Sequence, residues 1–596
     1  MPLMAPVCGV AVILLITPGL LFYFDITPKA ALLLIGTALL LIPAVRRVPG
    51  LWKQREGRWF LVLLAAQFAS LVWSTALSAD PALSFGGSNW RRMGVVSHCA
   101  LLLFALSAAA FIAEDSRRLL ITLRALSLGG IVAAAYGCAQ YAGWDPLLPS
   151  ARYHIGEGEW TIVRPPGTLG HAAYAATFYL HAAFAGLALV VADEAPWRRA
   201  GIVTAALCAA AIVLSGTRAA ILGGCAGAVL MLLATRPKLR AVHAAGAAVV
   251  ILAGTAFYFA PAGQKLRSRT RWYVEDPRGG ARLWLWRDSA VMGASRWLSG
   301  WGPEVFPAEF PRFESKELAR AFPDYYHESP HNVLLEAWTS QGLPGLAIMA
   351  GLSGVALAQF RRSRLTATLC AGLAAALVAQ QFTSFTLATA LCFYWMLALI
   401  IPSRASFGLR RASAVPWTLP VSLALLVYAA ALLAADRQQL QSSRLLAAGR
   451  LTEGIAAFDQ ARKWQPPGVN SDLWFSRTLF DAARRSPQVI EAASSMRVAA
   501  EAATRAAAHA EDRANAAYNL AAIQAVLGNS AEVEASLRLA IRLAPHWYKP
   551  HWTLAKLLAL SGRRAEARAE SELAAGLGGG IHPEVQQTRQ ELRSQE

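Results

Sequence analysis

The chain has 596 residues, 55% of them hydrophobic and 16% charged, with 56 Lys and Arg against 37 Asp and Glu for a formal net charge of +19. Long apolar runs exclude an ordinary soluble domain, because about 20 apolar residues cross the hydrocarbon core of a bilayer. Much of the positive excess sits in short links between those runs, so membrane topology accounts for it and nucleic-acid binding is excluded.

Runs of about 17–25 apolar residues predict an all-α polytopic membrane protein of about 12–13 transmembrane helices. In chain order the spans fall near 7–24, 29–45, 59–77, 93–113, 119–142, 169–192, 200–215, 219–235, 242–261, 343–360, 366–382, 387–402 and 417–435. The first run, "VCGVAVILLITPGLLFYF", lacks a charged leader and a small-residue cleavage site, so it reads as a retained span. All seven cysteines lie in apolar runs and read as small hydrophobes.

The links "RRVPGLWKQREGR", "RPKLR", "RRSR" and "RASFGLRR" fall on one side if the spans alternate, as do Arg117, Arg118, Arg198 and Arg199. The positive-inside rule makes that side cytoplasmic. The other side receives "SADPALSFGGSNWRR", the loop 143–168, the "SGTR" turn at 215–218, the long loop 262–330 and the whole chain after 436. Arg91, Arg92, Arg164, Arg218 and the Arg-rich start of the long loop lie there against the rule, and such arginines ask for an anionic partner.

A membrane domain is thus expected over 1–436 and an Ala-, Arg- and Glu-rich helical domain over 437–596. In the latter, Gly449, Gly454, Phe458, Ala461 and Pro466 take the offsets of a tetratricopeptide second helix. Gly528, Val533, Leu537, Ala540 and Pro545 repeat them, as do Gly562, Ala567, Ser571 and Ala574. Such helix pairs stack into a superhelix whose concave face binds a partner. A periplasmic protein partner is the expectation.

Four outward pieces carry polar chemistry: "RPPGTLGHAAYAATFYL" from Arg164, "LSGTRAAILGG" with Arg218, "GGARLWLWRDSAVMGASRWLSGWGPEVF" with Arg282, and "HNVLLEAWTSQGLPGL" from His331. In order and spacing they resemble the O-antigen ligase and polymerase superfamily of bacterial inner-membrane proteins. Arg282, Trp286, Gly300, Gly302 and Phe306 fit its Arg…Trp…Gly-x-Gly motif, and His331, Asn332 and Glu336 its His-Asn-x-x-Leu-Glu block. The first piece departs: Ala172 and Ala173 stand where the family has Pro-Asn or a close variant. The resemblance implies transfer of a glycan from undecaprenyl pyrophosphate to an acceptor hydroxyl outside the inner membrane. It implies His331 as base, supported by Asn332 and Glu336.

The residue types suit that chemistry. Arg164, Arg218 and Arg282 would grip the pyrophosphate, since guanidinium forks match phosphate oxygens and keep their charge. For Arg282, an ion pair with Glu275, Asp276 or Asp288 is the competing reading. Ser329 as N-cap and Pro330 after it would place His331 and Asn332 in the first helical turn, where the helix terminus and a nearby arginine keep imidazole neutral. Neutrality is what a general base requires. Glu336 would hold packing rather than the ring. Pro330 argues against a helix-spaced metal pair of His327 and His331. The carboxylates Glu157 and Glu159, with His154, sit in a glycine-bearing loop, so the reaction is expected to need no metal and no cofactor. The acceptor is left open among a lipid A–core sugar, a growing glycan and a protein hydroxyl. A transporter or an assembly scaffold is the reading outside the enzyme class.

Overall fold

The computed structural model describes residues 3–115, 117–155, 161–235, 241–275, 280–323, 325–402 and 416–594. Helices stand at each expected span: α1 (Met4–Leu14), α2 (Thr27–Val45), α3 (Arg55–Ala76), α4 (Val95–Glu114), α5 (Arg117–Ala142), α6 (Ala172–Ala192), α7 (Ala195–Leu214), α8 (Arg218–Thr235) and α9 (Ala241–Phe259). After α10 (Gln264–Glu275) and α11 (Arg282–Ser295) come α12 (Val333–Leu357), α13 (Arg364–Ala379), α14 (Leu387–Ile400) and α15 (Thr418–Ala447). Among the described residues nine helices are long and apolar enough to cross a membrane, and α1, α8 and α14 are shorter apolar helices. The links "RPKLR" and "RASFGLRR", with Asp276 and Asp324, lie wholly or largely outside the described residues.

The centre of the bundle is α14, buried at every residue. A helix apolar all round is stable only when surrounded. It packs on α2, α4, α6 and α13. Its roughly 21 Å length falls short of a bilayer core, and its capped start, Thr386 accepting from the Thr389 amide, is set inside the protein. By contrast, α3 turns Trp59, Val62, Phe68, Val72 and Trp73 outward, as a lipid-facing helix does.

Two boundaries differ from expectation. The first helix ends at Leu14, because Pro18 and Gly19 (φ 77°) turn the chain and residues 15–26 fold back, the Thr17 amide donating to the Phe24 carbonyl at 2.8 Å. The tenth starts at Val333 rather than 343 and kinks at Gly342 (φ 66°), ahead of Pro344.

The expected domain boundary at 436 falls inside one continuous helix, α15. Its Asp436 carboxylate accepts from the Thr27 hydroxyl at 2.9 Å, tying it to the start of α2. Beyond it α15 pairs with α16 (Leu451–Trp464), α17 (Asp472–Arg485) with α18 (Val489–His509), α19 (Arg513–Val526) with α20 (Ser530–Leu543), and α21 (Tyr548–Leu560) with α22 (Arg564–Gly576); α23 (Pro583–Ser594) closes the array. Gly449, Gly528 and Gly562, at φ 75–78°, make the turn inside three pairs, where left-handed backbone favours glycine. Phe458, Ala461, Val533, Leu537, Ala540, Ala567, Ser571 and Ala574 are buried between helices.

The array docks by the turns that join one pair to the next. Asn89 donates its side-chain amide to the Asn470 carbonyl and its backbone amide to Glu511 at 2.8 Å. Arg513 pairs with Glu309, His546 meets the Glu314 carbonyl at 2.5 Å, and Arg320 donates to the Gly576 carbonyl at 2.6 Å. Asn89 and residues 309–320 belong to the loops expected outside.

Candidate active site

A cavity of about 830 Å³ opens at that same end of the bundle. The starts of α6 and α8, the segment leading into α12 and the end of α13 border it, as alternating spans require. Four loop segments place side chains on its wall.

The first is 164–171. A two-residue hairpin pairs His154 with Val163 and Ile155 with Ile162, and the Arg164 amide donates to the Tyr153 carbonyl at 3.0 Å. Gln140 accepts the Gly167 amide at 2.9 Å. Lys29, buried in α2, donates to the carbonyls of Thr168 and, at 3.0 Å, Ile13. The segment is held from below by a buried lysine whose N–H donors need oxygen acceptors. It ends at His171, the N-cap of α6, whose Nδ1 accepts the Ala173 amide at 3.2 Å.

The second is the turn before α8. Ser215 donates to Thr217 at 3.0 Å, Gly216 takes φ 59°, and Arg218 opens the helix onto the cavity. Arg269 of α10 reaches the Gly216 carbonyl at 3.4 Å and lines the same wall.

The third piece supports Arg282, at the start of α11. Trp286 lies 5.8 Å from the Phe382 ring across the wall, and Gly293 lets α11 sit against Trp338, whose ring a Cβ there would meet at 2.0 Å. Asp288, one expected partner of Arg282, takes Arg287 at 2.9 Å and the Ser315 amide at 2.9 Å instead. Asp276 lies outside the described residues.

The Gly-x-Gly motif answers the kink in α12. Gly342 turns the Leu343 amide away from the Thr339 carbonyl, and Pro344 has no amide to give the Ser340 carbonyl. The motif segment fills both vacancies: Trp301 N donates to Thr339 O at 2.8 Å and Gly302 N to Ser340 O at 2.9 Å, while Leu343 N donates to Trp297 O at 2.7 Å. A Cβ at Gly300 would stand 2.4 Å from the α12 backbone, so the third and fourth motifs are two halves of one joint.

The fourth piece corrects the expected helix start. Asn332, not Ser329, is the N-cap: its side chain accepts the amides of Leu334 and Leu335 at 3.0 and 3.1 Å. An Asx side chain two residues before its donors outcompetes a serine five before. His331 therefore precedes the helix, at φ 49°, on the cavity wall. Ser329 Oγ lies 3.4 Å from its Nδ1 and takes a hydrogen bond from Ser384 at 2.8 Å. Enclosure by protein, then Arg282, His327 and Arg91, push the imidazole down to about 4. Neutrality was expected, but burial supplies most of it rather than the helix terminus. His327 is also pushed to about 4 by burial and sits 3.6 Å from Glu314, whose carboxyl burial raises to about 8.

Glu336 and Arg91 lie behind the wall rather than on it. Arg91 is buried between Glu304 and Glu336; its Nε is 2.9 Å from Glu304, which also accepts the Ser88 amide at 3.0 Å. Glu336 accepts the Phe385 amide at 3.3 Å. Arg92 is buried 5.6 Å from the Tyr23 ring. The outward anion expected for Arg91 is thus supplied by the chain itself.

The cavity unites Arg164, Arg218, Arg282 and His331; Asn332 and Glu336 lie off its lining, as the cap and in the first turn of the helix that follows His331. Glu157 and Glu159 lie outside the described residues. Sequence reading missed His171 and Lys29, while Arg269 belongs to the Arg-rich start of the long loop that it had marked as outward. A histidine immediately before an apolar run is a cap position, and a lysine early in a span needs oxygen acceptors, so both carried a signal.

Residues 203–350 match the family model of O-antigen ligase. The matched segment holds Arg218, Arg282, His331, Asn332 and Glu336, and stops short of Arg164 and the helical array. No curated protein matches the chain. The match points to glycan transfer of the O-antigen ligase type, and nine of the described helices are long and apolar enough to cross a membrane.

Proposed function

We propose that the chain, whose residues 203–350 match the family model of O-antigen ligase, is a member of that superfamily and transfers a glycan from undecaprenyl pyrophosphate to an acceptor hydroxyl on the periplasmic side of the bacterial inner membrane. The observation that carries this is the single cavity lined by Arg164, Arg218, Arg282 and His331. The arginines take the pyrophosphate oxygens, whose charge grows as the glycosidic bond breaks. His331 takes the acceptor proton. In the tautomer that carries its proton on Nδ1, 3.4 Å from Ser329 Oγ, the lone pair on Nε2 is the base. One base and one displacement invert the anomeric carbon, without a metal.

The membrane part is 1–436 and the tail 437–596, a tetratricopeptide-like array outside the cytoplasm. The tail's docking at the cavity end favours an acceptor or assembly partner that is itself a protein, the second reading beside a lipid A–core sugar or a glycan. The test is transfer by purified protein in detergent from an undecaprenyl-pyrophosphate glycan to each acceptor class, with and without chelator. Transfer to one class, unaffected by chelator, is expected. No transfer to any would overturn the reading.

A further inference from the structure

The cavity holds a histidine that the scheme above leaves idle. His171 lines it at the start of α6, on a different chain segment from His331. Its ring is open to the cavity, 5.3 Å from the Tyr174 ring. The Ala173 amide donates to Nδ1 at 3.2 Å, so Nδ1 is an acceptor. In a neutral imidazole the proton then sits on Nε2. Enclosure in protein, then the charges of Arg164, His331, Arg269 and Arg282, push this imidazole down to about 3, so it is neutral at any working pH. The tautomer is fixed by a backbone amide, and the ring edge that carries the proton is the one turned from the backbone.

We propose that His171 is a second catalytic residue, a neutral Nε2–H donor to the oxygen that leaves the anomeric carbon with the pyrophosphate. This rests on the transferase reading above. His171 ends the segment that Arg164 begins and shares the cavity lining with Arg218, Arg269 and Arg282, which puts it among the arginines of the donor wall. In the step, the acceptor oxygen forms its bond to the anomeric carbon. The bond from that carbon to the phosphate oxygen breaks, and its electron pair stays on that oxygen. The acceptor proton goes to His331. His171 transfers no proton; its hydrogen bond shortens as charge builds on the departing oxygen, which makes it worth more in the transition state than in the ground state. An imidazolium would add a further cation to a wall of guanidiniums and bind donor more tightly in the ground state. The neutral ring avoids that.

Two substitutions separate this role from the helix cap. In His171→Asn the side-chain oxygen takes the place of Nδ1 and keeps the cap, while nothing reaches the position of Nε2. In His171→Gln the terminal amide reaches that position and the cap is lost. The expected result is that His171→Asn keeps its melting temperature and donor KM but loses roughly 10²–10³-fold in kcat, the effect of removing one oxyanion donor. His171→Gln should melt lower yet retain more kcat than His171→Asn. Neither change should move the acid limb of the rate profile, which belongs to His331. Parent-like kcat in His171→Asn overturns the proposal, as does a His171→Gln variant with no more kcat than His171→Asn. If His331→Ala is inactive while His171→Asn turns over normally, only this inference falls. If the parent protein transfers nothing from an undecaprenyl-pyrophosphate glycan, the transferase reading falls first.

Discussion

Arg91 and Arg218 come from loops on the same side of the bundle, and both break the charge rule that places basic residues on the other. Their surroundings differ. Arg91 is sealed between Glu304 and Glu336, whereas Arg218 stands at the mouth of a helix on the wall of a large cavity. The first closes a joint between the loop at 88–92, the Gly-x-Gly segment and α12. The second lies on the lining of a cavity with room for a ligand. An outward arginine therefore marks a ligand only where the fold leaves room beside it.

The largest effect expected from this contrast is on folding. Arg91→Ala strands two buried carboxylates, at a cost of about 3–5 kcal/mol, and protein level in the membrane should collapse. The triple change Arg91→Met, Glu304→Gln, Glu336→Gln removes the charges together and should recover much of that level. Immunoblots of membrane fractions give the comparison. Normal abundance of Arg91→Ala would erase the distinction between the two arginines.

For Arg218 the loss should fall on activity instead. Arg218→Lys keeps the charge and loses the fork, and roughly 10–100-fold in transfer is expected, from one charged hydrogen bond. Abundance should be unchanged. Arg282→Lys should behave alike. Full activity in both Lys variants would show that charge alone suffices.

The site's pH response is smaller and has a definite sign. A base must be unprotonated, and His331 is held at about 4, below the ordinary histidine value. The rate should stay level from pH 7 to about 5 and fall only near 4, provided the enzyme remains folded. A limb centred near 6.5 would place a solvated histidine in the base's role.

The smallest effect concerns Glu314, whose carboxyl is raised to about 8 in the fold. Its proton is held more tightly folded than unfolded, so stability is complete below the unfolded value and declines as pH rises toward 8. The melting temperature should drop slightly between pH 6 and 9, and Glu314→Gln should flatten that drop. An equal drop in the variant would assign it elsewhere.

Much of the fold was legible because spanning helices announce themselves by apolar length alone. The site was less so. Its arginines and histidine were found by placement and motif, but the register of His331 depends on which of Ser329 and Asn332 caps α12, and both are good caps. The burial that sets its proton affinity, and the charge of Arg282 that adds to it, come from segments far apart in sequence. The partners of Arg91 lie 213 and 245 residues away. Periodicity does not report contacts of that range.

The central claim is that His331 is the base, and single-turnover transfer by His331→Ala beside His327→Ala tests it most directly. With donor bound and protein levels matched, His331→Ala should lose roughly 10²–10⁴-fold in rate, while donor affinity holds and His327→Ala loses far less. Parent-like turnover in His331→Ala would contradict the account.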